Sequence, residues 1–403
     1  MTDIVLLGGG YVTIDAYRSL MRTLGRDVRR GAARITVITP EPYHTFHGWT
    51  GEVLAGVLPL ERTLTPLTDV LPHARLVLGR ATRVDPDTQT VQVTQANGAL
   101  TVVPYDHLLV GVGARDPFDR LPGLREHGWG LKDTLDMQRL HQHLQTWSPN
   151  GARALIVGGG FAGVEMAAAL RERFTPAELQ IHLASATPQL LTTLRPEYQH
   201  LAEYAEQTLR AREIHILREC RVQEVTARGA RLSSGAHLPA DLVLVTAGFA
   251  AQDVPGLNEL PRHPDGRLLT DDALRVSGYA NIWAGGDAAH VTHPVTGGAC
   301  PTNALWAMKH GMCAGRNIGR AVQGRAPRPF AYRGLGQGAA FRVGQGITEL
   351  KGMQFTGRLG WLMRLLFFVW YMPTKRGGAR VLHAWLTRPR VPRAVRASTV
   401  PEA

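Results

Sequence analysis

"DIVLLGGGYVTID", residues 3–15, is the stretch on which the fold turns. An apolar strand runs into three glycines and then into helical sequence. Gly8 and Gly10 occupy the first two positions of a G-x-G-x-x-G dinucleotide turn, and Thr13 stands where the third glycine would be. Each position has its own physical task. The first glycine makes the tight turn. The second lets backbone N–H groups approach a pyrophosphate at the helix N-terminus, and the third lets the helix pack close to the strand. Thr13 therefore pushes the helix outward slightly and leaves the phosphate cradle intact. A single turn of this kind is a weak signal.

The same sequence pattern returns. "ARALIVGGGFAGVE", residues 152–165, carries an intact Gly158, Gly160 and Gly163. A second apolar strand follows each turn, "RITVIT" at 34–39 and "LQIHLA" at 179–184. The repeat continues through 81–113 and 220–248. Each of these reads as an antiparallel excursion, then "PYD" or "PAD", then a buried strand ending in glycine. Two copies of one strand-helix-strand nucleotide unit, each with an inserted ribbon, account for the pattern. The predicted fold class is α/β, with two Rossmann-like dinucleotide-binding domains in three layers and a C-terminal amphipathic segment.

Composition narrows the function classes. The chain has 403 residues, 44% of them hydrophobic and 19% charged, as in a globular protein of two or three domains. Cys220, Cys300 and Cys313 form no C-x-x-C or C-x-x-x-x-C pair, so neither a metal finger nor a dithiol centre is expected. No metal is expected at all. Residues 351–403 hold ten basic residues and Glu402, a net +9 of the total +12. That charge follows "LGWLMRLLFFVWYM", 359–372, too short to span a bilayer and suited to lie in its interface. The expected partner is an anionic membrane surface. No nucleic acid is expected, because the basic tail has no stacking aromatics interleaved with it.

"ANIWAGGDAAHV", 280–291, is an apolar strand that ends in glycines and Asp287. Here the chain resembles the flavoproteins of the pyridine nucleotide-disulfide oxidoreductase superfamily. "LLVGVGA", 108–114, resembles their A-T-G stretch, with Gly113 on its glycine. "PYHTFHGWTGEVLAG", 42–56, and "PFAYRGLGQGAAFRVG", 329–344, are similar to segments of the type II NADH dehydrogenases, single-chain NADH:quinone oxidoreductases. The resemblance implies FAD as cofactor, NAD(P)H as substrate and a quinone as acceptor. It implies that Gly8, Gly10, Glu41, His44, Phe46, Gly113, Gly248, Gly286 and Asp287 hold FAD, with Asp287 on the ribityl chain. Gly158, Gly160 and Gly163 would hold NAD(P)H, with Glu165 at the flavin–nicotinamide contact.

Three places depart from the family pattern. Thr39 stands where an acid for the adenosine ribose is usual, and Glu41 is the substitute. Ser185 replaces the acid of the second unit, which removes the repulsion of a 2′-phosphate. The glutamines of the quinone segment are replaced in "ALWAMKHG", 304–311, so the acceptor site rests on Ala304, Leu305 and Lys309. The implied domains are 1–120 with 246–335 for FAD, 121–245 for NAD(P)H, and 336–403 facing the membrane. The implied location is cytoplasmic, peripheral on the inner face of the cell membrane, and a homodimer is admitted. Two alternatives stay open: a soluble reductase serving a small protein carrier, and a non-catalytic nucleotide-binding protein.

Overall fold

The computed structural model describes residues 1–387, so Arg388, Arg390, Arg393, Arg396 and Glu402 of the basic tail lie outside the described residues. The chain begins with β1 (Thr2–Leu7), α1 (Tyr11–Arg29), β2 (Ala33–Thr39), α2 (Thr50–Leu54), β3 (Arg75–Leu78) and β4 (His107–Val110). It continues through α3 (Thr134–Thr146), β5 (Ala152–Val157), α4 (Phe161–Arg173), β6 (Leu179–Ala184), α5 (Gln199–Ala211), β7 (Ile214–Leu217) and β8 (Leu242–Val245). Then come β9 (Ile282–Ala284), α6 (Ala304–Val322), β10 (Gly336–Arg342), β11 (Gln345–Leu350), β12 (Met353–Thr356), α7 (Gly357–Tyr371) and α8 (Lys375–Thr387).

Two parallel sheets carry the repeat. The first has the order β9-β4-β1-β2-β3 and the second β7-β6-β5-β8. Their registers correspond: Thr2 pairs with Ala33 and Leu7 with Ile38, as Ala152 pairs with Leu179 and Val157 with Ala184. Parallel strands need helical crossovers and end up covered on both faces, which is why β1 and β5 are apolar runs and not alternating ones. Antiparallel ribbons, Arg80–Asp85 with Thr90–Thr94 and Leu100–Pro104, and Val222–Thr226 with Gly229–Leu232 and His237–Pro239, precede β4 and β8. Strand β9 rejoins the first sheet beside β4 after the whole second sheet has been built.

One stripe of glycines escaped the sequence reading. Gly311, Gly315 and Gly319 recur every fourth residue on α6, hence on one face. A Cβ on each would lie 2.2 Å from Val12 O, 2.3 Å from Ala16 O and 2.2 Å from Thr23 Oγ1. The backbones of α1 and α6 therefore touch, and α6 is seated beside the Gly8–Gly10 turn. Strands β10 and β11 place Ala339, Phe341 and Ile347 in the same core as α4 and the second sheet. Helices α7 and α8 close another core, with Leu365, Met372, Val381 and Trp385 around Phe46, Trp49 and Met308. Helix α7 has 15 residues, about 22 Å at 1.5 Å each. No helix among the described residues is long and apolar enough to cross a membrane.

Candidate active-site cleft

The two glycine turns share one backbone course. Gly10 has φ −88° and ψ −166°, and Gly160 has φ −84° and ψ −172°. Gly8 and Gly158 are left-handed, with φ +107° and +130°. A Cβ on Gly8 would sit 2.5 Å from Gly111 O, so the turn is wedged against the end of β4. A Cβ on Gly10 or Gly160 would meet nothing within 4 Å, so the backbone there borders open space that a ligand can approach closely. The third position separates the copies. A Cβ on Gly163 would fall 1.7 Å from Gly158 O. In the first copy Thr13 is fully buried and its hydroxyl donates to Gly8 O at 2.6 Å. The hydroxyl thus bridges helix and turn where the second copy makes backbone contact.

Beyond the first turn lies a cleft of about 540 Å³, within the size range of ligand sites. Gly8, Gly10, Glu41, His44, Gly113, Gly286, Asp287 and Ala304 line one side, and Ala162, Glu165 and Met166 of α4 close the other. Thr39 is buried beneath the turn, 2.8 Å from where a Gly9 Cβ would be, and its hydroxyl donates to Glu41 O. Glu41 is therefore the acid that reaches the cleft beside Thr39. Lys132, which the sequence reading passed over, enters from the segment before α3. Its ammonium lies 3.4 Å from Asp287 Oδ2, and its N–H donates to Asp116 Oδ2 at 2.9 Å.

Glu165 anchors the far wall. Arg364 of α7 reaches it at 2.6 Å through Nη2 and reaches Glu52 of α2 at 2.6 Å through Nη1. Ala340 N–H donates to Glu165 Oε1 at 2.9 Å, and Arg364 Nη2 donates to Gly48 O at 3.1 Å. Burial outweighs the arginine and lifts the Glu165 carboxyl to about 7. A small cavity of about 30 Å³ lies behind this group, between Glu52, Glu165, Arg364 and Trp361; it has room for one water.

The expected residues divide. Gly158, Gly160 and Gly163 form their own turn, separate from the lining of the cleft. Phe46 turns away from the cleft into the apolar core with Trp49 and Met308. Gly248 has φ +78° and faces Pro117. Of the acceptor residues, only Ala304 lines the cleft. Leu305 is buried in the helix packing, and Lys309 lies over Tyr332, 5.5 Å from its ring centre. The reason is helical phase: Ala304 and Ala307 share the cleft face of α6, and neither neighbour of that face does. His310, the other residue in place of a family glutamine, is buried and accepts from Gly286 N–H at 3.1 Å. It fixes the glycine before Asp287, and burial holds its imidazole neutral, at about 3.

The residues fit a dinucleotide. His44 is buried, with its pKa lowered to about 3, and its Nδ1 lies 3.3 Å from Gly9 O. A carbonyl only accepts, so Nδ1 carries the proton and Nε2 is an acceptor. That Nε2 has no partner among the described residues, which suits a hydroxyl or N–H of a bound group. His47 beside it is also held neutral, at about 4, chiefly by burial.

Comparisons with known proteins agree with this geometry. The chain is 28% identical over 403 residues to the demethylphylloquinone reductase NdbB of Synechocystis, spanning 96% of this chain and 98% of that protein. It is 24% identical over 390 residues to a type II NADH:quinone oxidoreductase of Staphylococcus aureus, spanning 90% and 92%. In fold it is similar to NDH2 of Plasmodium falciparum in complex with NADH, with TM-score 0.82, 15% identity and 96% and 97% coverage. It is also similar to the sulfide:quinone oxidoreductase of Aquifex aeolicus, with TM-score 0.74, 16% identity and 94% and 92% coverage. Residues 2–311 match the sequence profile of the pyridine nucleotide-disulphide oxidoreductases, and with both dinucleotide turns and the cleft between them in place, the chain belongs to that family.

Proposed function

We propose that this chain is an FAD-dependent NAD(P)H dehydrogenase that passes two electrons to a quinone. One observation carries the reading: a single cleft is lined by the first glycine turn with Asp287 and by α4, the helix that starts at the second turn. A cofactor held by one unit and a nucleotide held by the other meet across it, and such positioning is most of what hydride transfer asks of a protein. The relatives named as demethylphylloquinone reductase and type II NADH:quinone oxidoreductase support the reaction class. The division into 1–120 with 246–335, 121–245 and 336–403 is part of the proposal, and the return of β9 to the first sheet supports it.

FAD, when bound, supplies a two-electron carrier that takes hydride from a nicotinamide and reduces a quinone. The helix N-termini at Gly10 and Gly160, open on the side where a side chain would stand, would orient the two pyrophosphates. His44 Nε2 would accept from a donor group of the cofactor. Asp287 would hold the ribityl hydroxyls, with Lys132 3.4 Å from it to balance its charge. At Glu165, Ala340 N–H and Arg364 both address Oε1 or its neighbourhood, so the proton that this group binds near pH 7 sits on Oε2. The apolar core of Phe46, Trp49, Met308 and Phe368 excludes water beneath α7.

The same reading includes the membrane surface. Leu359, Leu362, Leu366 and Trp370 of α7 are exposed, and Lys375 Nζ sits 3.8 Å from the centre of the Trp370 ring. An apolar helix face with a cation at its edge suits an interface of anionic headgroups. The test is oxidation of NADH and NADPH by the purified protein, with and without a short-chain quinone. Oxidation that requires quinone is the expected result. Flavin that is reduced and then not reoxidised by quinone would remove the quinone from this reading.

A further inference from the structure

The end of β6 is where a dinucleotide fold reads the adenosine ribose. An acid there accepts from the ribose hydroxyls and repels a 2′-phosphate. Here the residue is Ser185, buried, with its hydroxyl 2.8 Å from Thr187 Oγ1. No arginine stands near Ser185 in sequence, but the parallel pairing of β6 with β7 brings one beside it. Ser185 N–H donates to Leu217 O at 2.8 Å, Glu219 N–H donates to Thr187 O at 3.3 Å, and Cys220 N–H donates to Ser185 O at 2.8 Å. Arg218 lies between these bonded residues, so its Cα is fixed against the Ser185–Thr187 corner.

The side chain of Arg218 is also held. It pairs with Glu206 Oε2. The other oxygen of Glu206 takes Arg195 at 3.2 Å and Leu190 N–H at 3.3 Å. Leu190 packs against the second turn, since a Cβ on Gly159 would lie 2.9 Å from its Cδ2. Two guanidiniums thus share one carboxylate, and Glu219, the acid that follows Arg218 in the chain, is exposed. Arg195 and Glu206 are nearly covered, at 11% and 10% side-chain exposure, whereas Arg218 is 39% exposed. Arg218 is the member of the group with donors left to offer. A guanidinium that is already oriented, on a residue whose backbone is pinned to the Ser185–Thr187 corner and with no acid at the end of β6, matches a phosphate monoester.

We infer that this corner is a 2′-phosphate subsite in which Arg218 contacts the phosphate, so that NADPH is the nucleotide this chain takes. The inference rests on the second turn holding NAD(P)H. Calorimetry with 2′,5′-ADP and with 5′-ADP, on the full-length protein, tests both levels. We expect 2′,5′-ADP to bind more tightly by at least about tenfold, the size of one charge-assisted contact. Arg218→Ala should abolish that difference and leave 5′-ADP binding unchanged. Arg195 still neutralises Glu206 in that variant. Arg218→Gln, which keeps a donor for Glu206 and removes the charge, gives the same readout if the alanine variant folds poorly. Equal binding of the two nucleotides by the wild type, or an undiminished preference in the folded Arg218 variants, overturns the inference and leaves the nucleotide site standing. Binding of neither nucleotide overturns the nucleotide site itself.

Discussion

The guanidinium of Arg364 meets the Glu165 carboxylate at 2.6 Å, and so joins the C-terminal helix α7 to the wall of the cleft. Its other nitrogen holds Glu52 at 2.6 Å, which places two acids on one buried cation. Helix α7, α2 and the wall of the cleft are therefore tied together by one buried cluster of charges.

Glu165 gives a stability prediction with a definite sign. Its carboxyl ionises at an ordinary 4.5 in the unfolded chain and at about 7 in the fold, with burial as the main cause. The protonated form is the one the fold favours. Its contribution is fully present below pH 4.5 and is lost as pH rises through 7. Glu165→Gln has no such loss. The stability of the Gln variant relative to wild type should therefore climb between pH 4.5 and 7 by roughly 3 kcal/mol. Denaturant unfolding at several pH values checks this, and a pH-independent difference would refute it.

Arg364→Ala should cost about 3–5 kcal/mol, because it leaves Glu52 and Glu165 facing each other without a cation. The proton affinity of Glu165 should rise further. The pH profile of turnover should then shift to higher pH, with Arg364→Lys lying between the variant and wild type.

The two glycine turns should respond differently at their third positions. Gly163→Ala places a methyl against Gly158 O, so helix and turn must separate, at a cost of about 1–3 kcal/mol and with loss of nucleotide affinity. Thr13→Ala removes one hydroxyl bond and should cost about 1 kcal/mol with the cofactor still bound. Thermal unfolding of both variants, with flavin content measured alongside, separates the two cases.

His310→Ala leaves Gly286 N–H buried without an acceptor, and cofactor affinity should fall by about 1–3 kcal/mol. His310→Asn keeps an acceptor near the Nδ1 position and should recover part of that loss. Reconstitution of the apoprotein with FAD measures both.

Replacing Leu362, Leu366 and Trp370 together by glutamate should abolish flotation with anionic vesicles and leave the fold unchanged, since all three are exposed. Flotation that persists would place the membrane contact elsewhere.

The sequence by itself determined the doubled nucleotide unit. Two glycine turns between strand and helix, each followed by a ribbon and a buried strand, are local patterns, and each obeys the backbone rules of its own few residues. Helix α7 and Asp287 at the end of β9 were legible for the same reason. The tertiary structure alone decided which side chains meet. The phase of α6 turned Lys309 out of the cleft and put His310 beneath Gly286. The glycine stripe on α6 set how close α1 could come. Strand pairing brought Arg218 beside Ser185, and the packing of α7 brought Arg364 to Glu165. Contacts between residues far apart in the chain depend on packing distances of a few ångström, and no spacing within either segment encodes them.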